Sequence, residues 1–318
     1  MRVAVTGAGG RLGRALIAAL EEAPFTGPFG PIAWDRAVFD LDSPDRIDAL
    51  IDRHRPEVVV HAAAWTDVDG CARDPETANR RNGAATGTVA GACAARGLDL
   101  VIISTNEVFD GRRTDGLGYG PADATGPINA YGASKLMGEE AAVAAFGIEA
   151  TRRGATSGGA LGIVRTAWLF GPPGNDFPAK ILAAAGRARS TGEPLRVVAD
   201  EVGSPTYTAD LAAGIVELIG ESAVAGIHHI VNAGAASRAE WARELLLQAA
   251  ALRPDGGFDV PTLDVPASTW PRASTPPAWA VLAATPLPGG EPLRPWQAAL
   301  ADYLPTLLRQ VATAGARP

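Results

Sequence analysis

Short apolar runs alternate with longer segments of helical periodicity along the first half of the chain. Five runs rich in β-branched residues predict strands, at residues 2–6, 31–34, 57–61, 98–104 and 162–166. Between them, apolar residues recur at helical spacing in residues 11–22, 44–53, 75–96 and 129–146. This alternation is typical of a parallel sheet covered on both faces. It predicts an α/β fold with a doubly wound parallel sheet, whose ligands bind beyond the carboxyl ends of the strands.

The pattern loosens in the second half of the chain. Residues 254–295 are rich in proline, and an amphipathic helix at residues 296–312 closes the sequence. We expect a dinucleotide-binding domain at residues 1–168 and a smaller, mainly substrate-binding C-terminal lobe at residues 169–318. Strands near 196–199 and 227–232 are expected to return to the first domain. Residues 151–159 are predicted to form a solvated loop before the fifth strand.

Charge and composition exclude several classes of partner. The 318 residues include 28 Lys and Arg against 35 Asp and Glu, for a net charge of −7 without a basic run. Binding to nucleic acid or to an anionic membrane needs clustered cations, so neither is expected. No apolar run approaches the ~18 residues of a membrane span. We therefore expect a cytoplasmic protein that acts on a small molecule.

The metal-ligating residue types are sparse. Cys71 and Cys93 have no metal-ligand spacing nearby and are predicted to be small buried hydrophobes. His228 and His229 are adjacent in a predicted strand, where neighbouring side chains point to opposite faces. The sequence therefore predicts no metal site.

A glycine-rich loop follows the first predicted strand and opens a helix. Gly7, Gly10 and Gly13 are spaced for a tight turn, for close approach of the backbone to a pyrophosphate, and for tight packing of helix on strand. Arg11 and Leu12 lie between them. The free N–H groups and the dipole at the helix N-terminus favour phosphate there. These residues predict a site for NAD or NADP.

The end of the second strand carries two conflicting signals for the choice of cofactor. Asp35 is suited to the ribose 2′-hydroxyl of NAD, and Arg36 beside it is suited to the 2′-phosphate of NADP. Asp40 and Asp42 are placed near the adenine, and Leu41 between them is assigned to the cofactor site. Helix capping before Pro44 accounts equally well for Asp42. The sequence leaves NAD and NADP both open.

Tyr131 and Lys135 lie one helical turn apart on the same face of the fourth predicted helix. A free Tyr has a pKa of about 10, and a nearby cation lowers it toward the neutral range. The ammonium also suits the nicotinamide ribose. At the end of the fourth strand, the hydroxyls of Ser104 and Thr105 are placed to bind a substrate carbonyl. Together these groups predict a hydride-transfer site.

Lysine occurs only at Lys135 and Lys180, so arginine supplies most of the basic charge. Lys180 is expected on a surface helix of the second lobe without a special role. Arginine is a poor replacement for Lys135, because a compact ammonium has to reach both a phenol and a ribose.

The order of these motifs resembles that of the extended short-chain dehydrogenases/reductases, and most closely the dTDP-4-dehydrorhamnose reductase family. The resemblance runs from residue 1 to about residue 235 and resumes at Pro295 and Trp296. Besides the glycine loop and the Tyr131/Lys135 pair, it is carried by residues 61–69, Asn82, residues 104–111, 165–168 and 200–206, and Asp210 with Leu211.

This resemblance implies a Rossmann-type fold and gives roles to individual residues. Thr105, Tyr131 and Lys135 would be the catalytic triad. The implied cofactor-binding residues are those of the loop and of the second strand, with Ala62, Ala63, Ala64, Asn82 and Ser104. Thr66 and Trp168 would face the sugar of a nucleotide-sugar substrate, and a homodimer is a candidate oligomeric state.

Three departures from the family affect the predicted substrate. Asn106 and Glu107 stand where the family usually has Asp-Tyr, and Glu201 replaces a Gln. These three residues are assigned to substrate binding. The segment at 270–282 does not match cleanly.

The leading hypothesis is an NAD(P)H-dependent ketoreductase of a nucleotide-linked deoxysugar or a related polar ketone, with Tyr131 as proton donor. A second hypothesis is a sugar-nucleotide dehydratase or epimerase that uses Glu107. A third is a non-catalytic, NADP-binding regulatory subunit.

Overall fold

The computed structural model describes residues 1–151, 158–253 and 257–315. Its helices are α1 (Arg11–Glu21), α2 (Ile47–His54), α3 (Val68–Arg73), α4 (Pro75–Ala78), α5 (Ala85–Ala94), α6 (Ala130–Phe146), α7 (Phe177–Thr191), α8 (Thr208–Gly220), α9 (Arg238–Leu252) and α10 (Trp296–Gly315). Its strands are β1 (Val3–Thr6), β2 (Ile32–Trp34), β3 (Val58–His61), β4 (Asp99–Thr105), β5 (Leu161–Thr166), β6 (Leu169–Phe170), β7 (Leu195–Val198), β8 (Val202–Gly203), β9 (Thr206–Tyr207), β10 (Gly226–His229), β11 (Asn232–Ala233), β12 (Ala236–Ser237), β13 (Thr262–Val265) and β14 (Leu293–Pro295).

Six strands form a central sheet in the order β10, β5, β4, β3, β1, β2. Every neighbouring pair is parallel. The change of direction in strand order lies between β1 and β3, with the glycine loop at the carboxyl end of β1. The predicted doubly wound α/β fold is confirmed, and the sheet is one strand larger than the five predicted before residue 168.

The burial of the strands explains why they read as unbroken apolar runs. All residues of β1, β3 and β5 are buried. Helices on both faces leave no solvated side, which is the usual condition of parallel strands. On one face Leu12, Leu16 and Leu20 of α1 pack in one core with α8. On the other face Val89 of α5 and Ile51 of α2 close a second core.

A third apolar core is made from residues after the central strands. Trp241, Phe170, Tyr303 and Trp296 lie in it with the leucines of α7, α9 and α10. This core supports the predicted C-terminal lobe, and the boundary at residue 168 stays a prediction.

The prediction that a strand near 196–199 returns to the central sheet is wrong. β7 pairs instead with β13, in a separate two-stranded parallel sheet. Leu195 and Val197 are buried while Arg196 between them is exposed. That alternation is typical of a strand with one solvated face, whereas the central strands are covered on both. β10, by contrast, extends the central sheet beside β5.

Most of the predicted loop at 151–159 lies outside the described residues. In the part of the chain that the structure describes, no helix is both long and apolar enough to cross a membrane.

Candidate active site

The glycine loop brings helix α1 against the start of the sheet at a distance that only glycine allows. A Cβ placed on Gly13 would lie 2.1 Å from the Gly7 carbonyl oxygen and 2.7 Å from the Ala8 Cα. Gly10 precedes α1 without a side-chain cap, so the first N–H groups of the helix are left for a ligand. A loop without side chains, opening a helix, fits the pyrophosphate of a dinucleotide.

A cavity of about 450 Å³ lies on one side of the loop. The predicted residues Asp35, Arg36, Asp40, Leu41 and Ala63 all line it, together with Gly7 and Gly10. Asp35 Oδ1 accepts hydrogen bonds from the N–H groups of Ala37 and Val38, at 2.9 and 3.1 Å. The Arg36 side chain is 82% exposed. This end of the site therefore presents a carboxylate and an exposed guanidinium side by side.

Sequence reasoning missed Arg81 at the same end. Its guanidinium binds both carboxylate oxygens of Asp42, at 2.7 and 2.5 Å, and lies 5.5 Å from the ring centroid of Trp65. Arg81 also lines this cavity, so the ion pair lies at its border. The paired charges lower the pKa of the Asp42 carboxyl below its ordinary value.

A second cavity of about 440 Å³ continues from the other side of the glycine loop. It brings together residues from the carboxyl ends of β3, β4 and β5, from helix α6 and from the loop itself. The predicted residues that line it are Gly7, Gly10, Arg11, Leu12, Gly13, Ala62, Ala64, Thr66, Ser104, Thr105, Asn106, Glu107, Tyr131, Lys135 and Trp168.

Helix α6 is fixed at its start beside the end of β4. Asn129 caps it, accepting a hydrogen bond from the Gly132 N–H at 2.8 Å. A Cβ on Gly132 would lie 2.0 Å from the Glu107 carbonyl oxygen, so the helix touches the backbone that follows Thr105. This contact places Tyr131 beside Thr105, and the next turn of the helix carries Lys135 into the same cavity.

Burial is the largest influence on the pKa values of Tyr131 and Lys135. It raises the pKa of the Tyr131 phenol, and the nearby Glu107 acts in the same direction. Burial also lowers the pKa of Lys135 to about 8, while Glu139 opposes that change. The pKa of Tyr131 therefore moves, on balance, in the direction opposite to that expected from Lys135, because loss of hydration disfavours the phenolate.

Asn106 and Glu107 are held by the residues around them. The Asn106 amide donates to the Ala280 carbonyl at 3.0 Å, and its Oδ1 accepts from the Thr105 hydroxyl at 3.2 Å. Glu107 accepts from the Asn129 amide at 2.7 Å. Burial raises the pKa of the Glu107 carboxyl. Asn106 therefore orients Thr105, and Glu107 presents a carboxyl group to the cavity.

Two predicted cofactor residues have their side chains engaged inside the protein. Asn82 lines neither cavity: its amide binds the Trp65 backbone N–H at 2.7 Å and the Trp65 carbonyl and Ser134 hydroxyl at 3.0 Å. Ser104 lines the second cavity, but its hydroxyl donates to Glu139. Asn82 is thus corrected from a direct ligand to a supporting residue. Its side-chain amide links the backbone of Trp65 to Ser134 of α6.

Arg11 lines the second cavity while its guanidinium is held by the chain after β6. It donates to the carbonyls of Gly171 and, at 2.7 Å, of Gly174, and it contacts Asp176 at 3.1 Å. Arg11 therefore joins the glycine loop to the start of α7.

A third cavity of about 430 Å³ adjoins the second one and has a cationic lining. Glu201 lies here and not in the second cavity. Lys180, which was expected on a surface helix without a special role, also lines this cavity. Other residues that line it include Phe177, Arg196, Arg238, Trp270 and Arg272.

Arg238 was missed from the sequence, although it lines both the second and the third cavity. Its guanidinium carbon lies 3.5 Å from the Trp168 ring centroid, and its nearest carboxylate is Glu201 at 3.7 Å. Burial lowers the pKa of Arg238 to about 10. A detectable signal was its position as the first residue of α9, because a cation is unfavourable at a helix N-terminus.

Trp168 has a backbone conformation that is rare for its residue type. Its φ is 42°, in the left-handed region. Its indole stacks on Trp241 with ring planes 11° apart and contacts the Arg238 guanidinium. Trp168 lines the second cavity, and its contact with a sugar stays a prediction.

The histidines do not form a metal centre. His61 binds the Thr6 hydroxyl at 2.8 Å, and burial lowers its pKa to about 3, so the ring is neutral. His228 and His229 contact the separate carbonyls of Val224 and Tyr119. Among the described residues no group of His, Cys, Asp and Glu is arranged to hold a metal ion.

The parallel sheet, the glycine loop and the Tyr131/Lys135 pair at its edge define an extended short-chain dehydrogenase/reductase, an NAD(P)-dependent oxidoreductase. The model of the family described as RmlD substrate binding domain matches residues 1–309. The chain belongs to this family, that of the dTDP-4-dehydrorhamnose reductases.

Similar proteins carry related names. The dTDP-4-dehydrorhamnose reductase of Mycolicibacterium smegmatis is 35% identical, over 95% of this chain and 84% of its own. A dTDP-4-keto-6-deoxy-D-glucose reductase of Streptomyces niveus is 38% identical over 75% of each chain. The crystal structure of dTDP-4-dehydrorhamnose reductase from Bacillus anthracis in complex with NADP has a TM-score of 0.79 at 30% identity, covering 96% of this chain and 99% of that one.

Proposed function

We propose that the protein is an NAD(P)H-dependent ketoreductase of a nucleotide-activated deoxysugar. The observation that carries the proposal is the second cavity, which we call the reaction cavity. Thr105, Tyr131 and Lys135 line it together with the glycine loop. The names of the similar proteins support a ketone at C4 of a dTDP-linked sugar as the substrate.

In the proposed reaction, bound NADPH or NADH supplies a hydride to the carbonyl carbon. Tyr131 donates its phenolic proton to the carbonyl oxygen. The Thr105 hydroxyl, which donates its single proton to Asn106 Oδ1 in the structure, turns to donate it to the same carbonyl oxygen when the substrate binds. The Lys135 ammonium binds the ribose hydroxyls next to the nicotinamide and favours the phenolate left after proton transfer. Trp168 and Thr66 bound the space for the sugar ring.

In this proposal the third cavity binds the nucleotide part of the substrate. This cavity is lined by four cations, Lys180, Arg196, Arg238 and Arg272. Among the described residues that line it, Glu201 is the one acidic side chain. Exposed Trp270, with Arg196 at 5.7 Å from its ring centroid, offers a surface for a base. An excess of cations beside the reaction cavity is suited to the diphosphate that links a sugar to a nucleoside.

The direct test is a turnover assay with dTDP-4-keto-6-deoxy-D-glucose and dTDP-4-dehydrorhamnose. Stoichiometric oxidation of NADPH or NADH, with a hydroxyl in place of the ketone, is expected. Loss of water from the sugar without net cofactor consumption would instead support the dehydratase hypothesis based on Glu107. Tight NADP binding without reduction of any ketosugar tested would support the regulatory subunit.

Replacing Lys180 and Arg196 together by alanine is expected to raise KM for the nucleotide sugar by about tenfold, because each loses a charged hydrogen bond to phosphate. The value of kcat should change little, since neither residue lines the reaction cavity. Steady-state kinetics with the dTDP-sugar measure both constants.

Arg187→Ala is the matched control for this variant. Arg187 is an exposed cation on the same helix α7 and does not line the third cavity. Its removal should leave KM unchanged. An equal rise of KM in the control would assign the effect to the overall charge of α7 and would remove the third cavity from the substrate site.

The division into domains at residue 168, a homodimer and a cytoplasmic location remain predictions. Light scattering on the purified protein tests the dimer.

A further inference from the structure

A third functional side chain follows Tyr131 and Lys135 along helix α6. Glu139 comes four residues after Lys135, as Lys135 comes four residues after Tyr131, so all three lie on one face. Tyr131 and Lys135 line the reaction cavity, whereas Glu139 does not and is only 4% exposed. The helix therefore places a buried carboxylate directly behind the cavity lysine.

The Glu139 carboxylate is held by two strands of the central sheet. Arg165 of β5 donates to its Oε2 at 2.6 Å and to its Oε1 at 3.0 Å. The Ser104 hydroxyl of β4 donates to the same Oε1. These bonds fix the position of the carboxylate, because the strands on which Arg165 and Ser104 lie pair with each other.

We propose that Glu139 is a positioning residue whose buried carboxylate, held in place by Arg165 and Ser104, keeps the Lys135 amine in its charged form in the reaction cavity. The proposal rests on the role of Lys135 in the proposed function, but its test does not require a substrate.

The electrostatic surroundings of Lys135 support this role. Burial lowers its pKa to about 8, and among the described residues Glu139 is the acidic group that opposes the change. On the same helix Tyr131 keeps its proton, because burial raises its pKa. From β3, His61 is neutral, with a pKa lowered to about 3. Arg165 from β5 is paired with Glu139. Without Glu139, burial would lower the pKa of Lys135 further.

A purely structural role does not explain the arrangement as well. Replacement of a buried ion pair by apolar side chains of similar size is often neutral for stability, so the pair is weak evidence of a need for stability. The structural function of Glu139 as a partner of Arg165 does not depend on the charge of Lys135. The positioning function does depend on it, and this difference can be measured.

The composition of the chain makes the measurement direct. Lys135 and Lys180 are the two lysines of the sequence, so ¹³C labelling of lysine Cε gives two NMR signals, and Lys180→Arg assigns them. We expect the Lys135 signal of the wild-type protein to titrate with a midpoint near the pKa of about 8. In Glu139→Gln the midpoint should fall by about one pH unit, the size of a typical shift caused by one neighbouring charge.

Glu140→Gln is the matched control, because Glu140 is the next residue of α6 and is exposed. It should leave the Lys135 midpoint unchanged. The affinity for NADPH should be measured as a function of pH on the same samples. In Glu139→Gln we expect the affinity to fall at a lower pH than in the wild-type protein, and in Glu140→Gln at the same pH as in the wild-type protein.

The double variant Glu139→Gln with Arg165→Met protects the test against a folding defect, since it leaves no unpaired buried guanidinium. We expect the Lys135 midpoint to fall in the double variant as well. A wild-type midpoint in the double variant, or in Glu139→Gln, overturns the proposal and leaves Glu139 as the structural partner of Arg165. Absence of ketosugar reduction with a shifted midpoint would contradict the proposed function alone.

Discussion

Tyr131→Phe is expected to lower kcat by about 10²–10⁴-fold, the usual contribution of a positioned general acid. The substitution removes one hydroxyl and keeps the ring that fills the space beside Thr105. The Kd for NADPH should stay close to that of the wild-type protein, because the phenol is not needed to hold the pyrophosphate or the adenine. Single-turnover kinetics with the dTDP-ketosugar and fluorescence titration with NADPH measure the two quantities.

Tyr207→Phe serves as the control for this experiment. Tyr207 packs with Phe170 in the core of the C-terminal part and lines none of the three cavities. Its loss should leave kcat unchanged. If Tyr131→Phe retained wild-type kcat, the proton would have to come from another group, and Glu107 would be the first to examine, since it lines the same cavity with a raised pKa.

The protonation of Tyr131 favours reduction over oxidation. Burial raises its pKa above the ordinary value of about 10, so the phenol carries its proton throughout the neutral range. A proton donor is needed for reduction, and a phenolate for the reverse reaction. The alkaline loss of reductase activity should therefore follow Lys135, whose pKa is lowered to about 8, and not Tyr131.

The cofactor half of the site is the part that the sequence predicts well. The glycine loop and β1 are contiguous, and so are Tyr131 and Lys135 on α6. The spacing within one segment is enough to place such residues on one turn or one helical face. Their protonation cannot be obtained in the same way, because it depends on burial by residues that are distant in sequence.

The third cavity shows why some of the cations that line it were not predicted from the sequence. Lys180 comes from α7, Arg196 from β7, Arg238 from α9 and Arg272 from the chain after β13. Apart from Arg238, with its place at the start of α9, none of these cations has a neighbour in sequence that marks it as a ligand. The pairing of β7 with β13 was also missed, since the proline-rich segment around β13 has little periodicity.

The two strands 195–198 and 226–229 illustrate the same limit. Both are short and partly apolar, and local pattern alone suits either of them to a sheet. β10 pairs with β5 of the central sheet. There Ile227 packs against the second apolar core, the one that contains Val89 and Ile51. β7 lies against α9 instead, with Leu195 in the core of the C-terminal part. Tertiary contacts, and not the short apolar pattern that both segments share, decided which sheet each strand joins.

Gly13→Ala is expected to weaken NADPH binding by about 10–100-fold, equivalent to about 1.4–2.8 kcal/mol. The new Cβ would lie 2.1 Å from the Gly7 carbonyl oxygen and 2.7 Å from the Ala8 Cα. Both atoms belong to the backbone of the glycine loop and cannot turn aside as a flexible side chain would. The loop or helix α1 therefore has to move, and the N–H groups no longer point at the pyrophosphate. The free energy of unfolding should fall by about 1–3 kcal/mol, as for other overpacked sites.

Gly91→Ala makes the same chemical change in helix α5, where a Cβ would meet no atom within 4 Å. There we expect a gain in stability of about 0.5–1 kcal/mol, because alanine is the better helix former, and an unchanged Kd for NADPH. Urea unfolding and NADPH titration of both variants separate close packing at the loop from the general effect of an added methyl group. If Gly13→Ala behaved like Gly91→Ala in both measurements, the contact between α1 and Gly7 would have no part in forming the cofactor site.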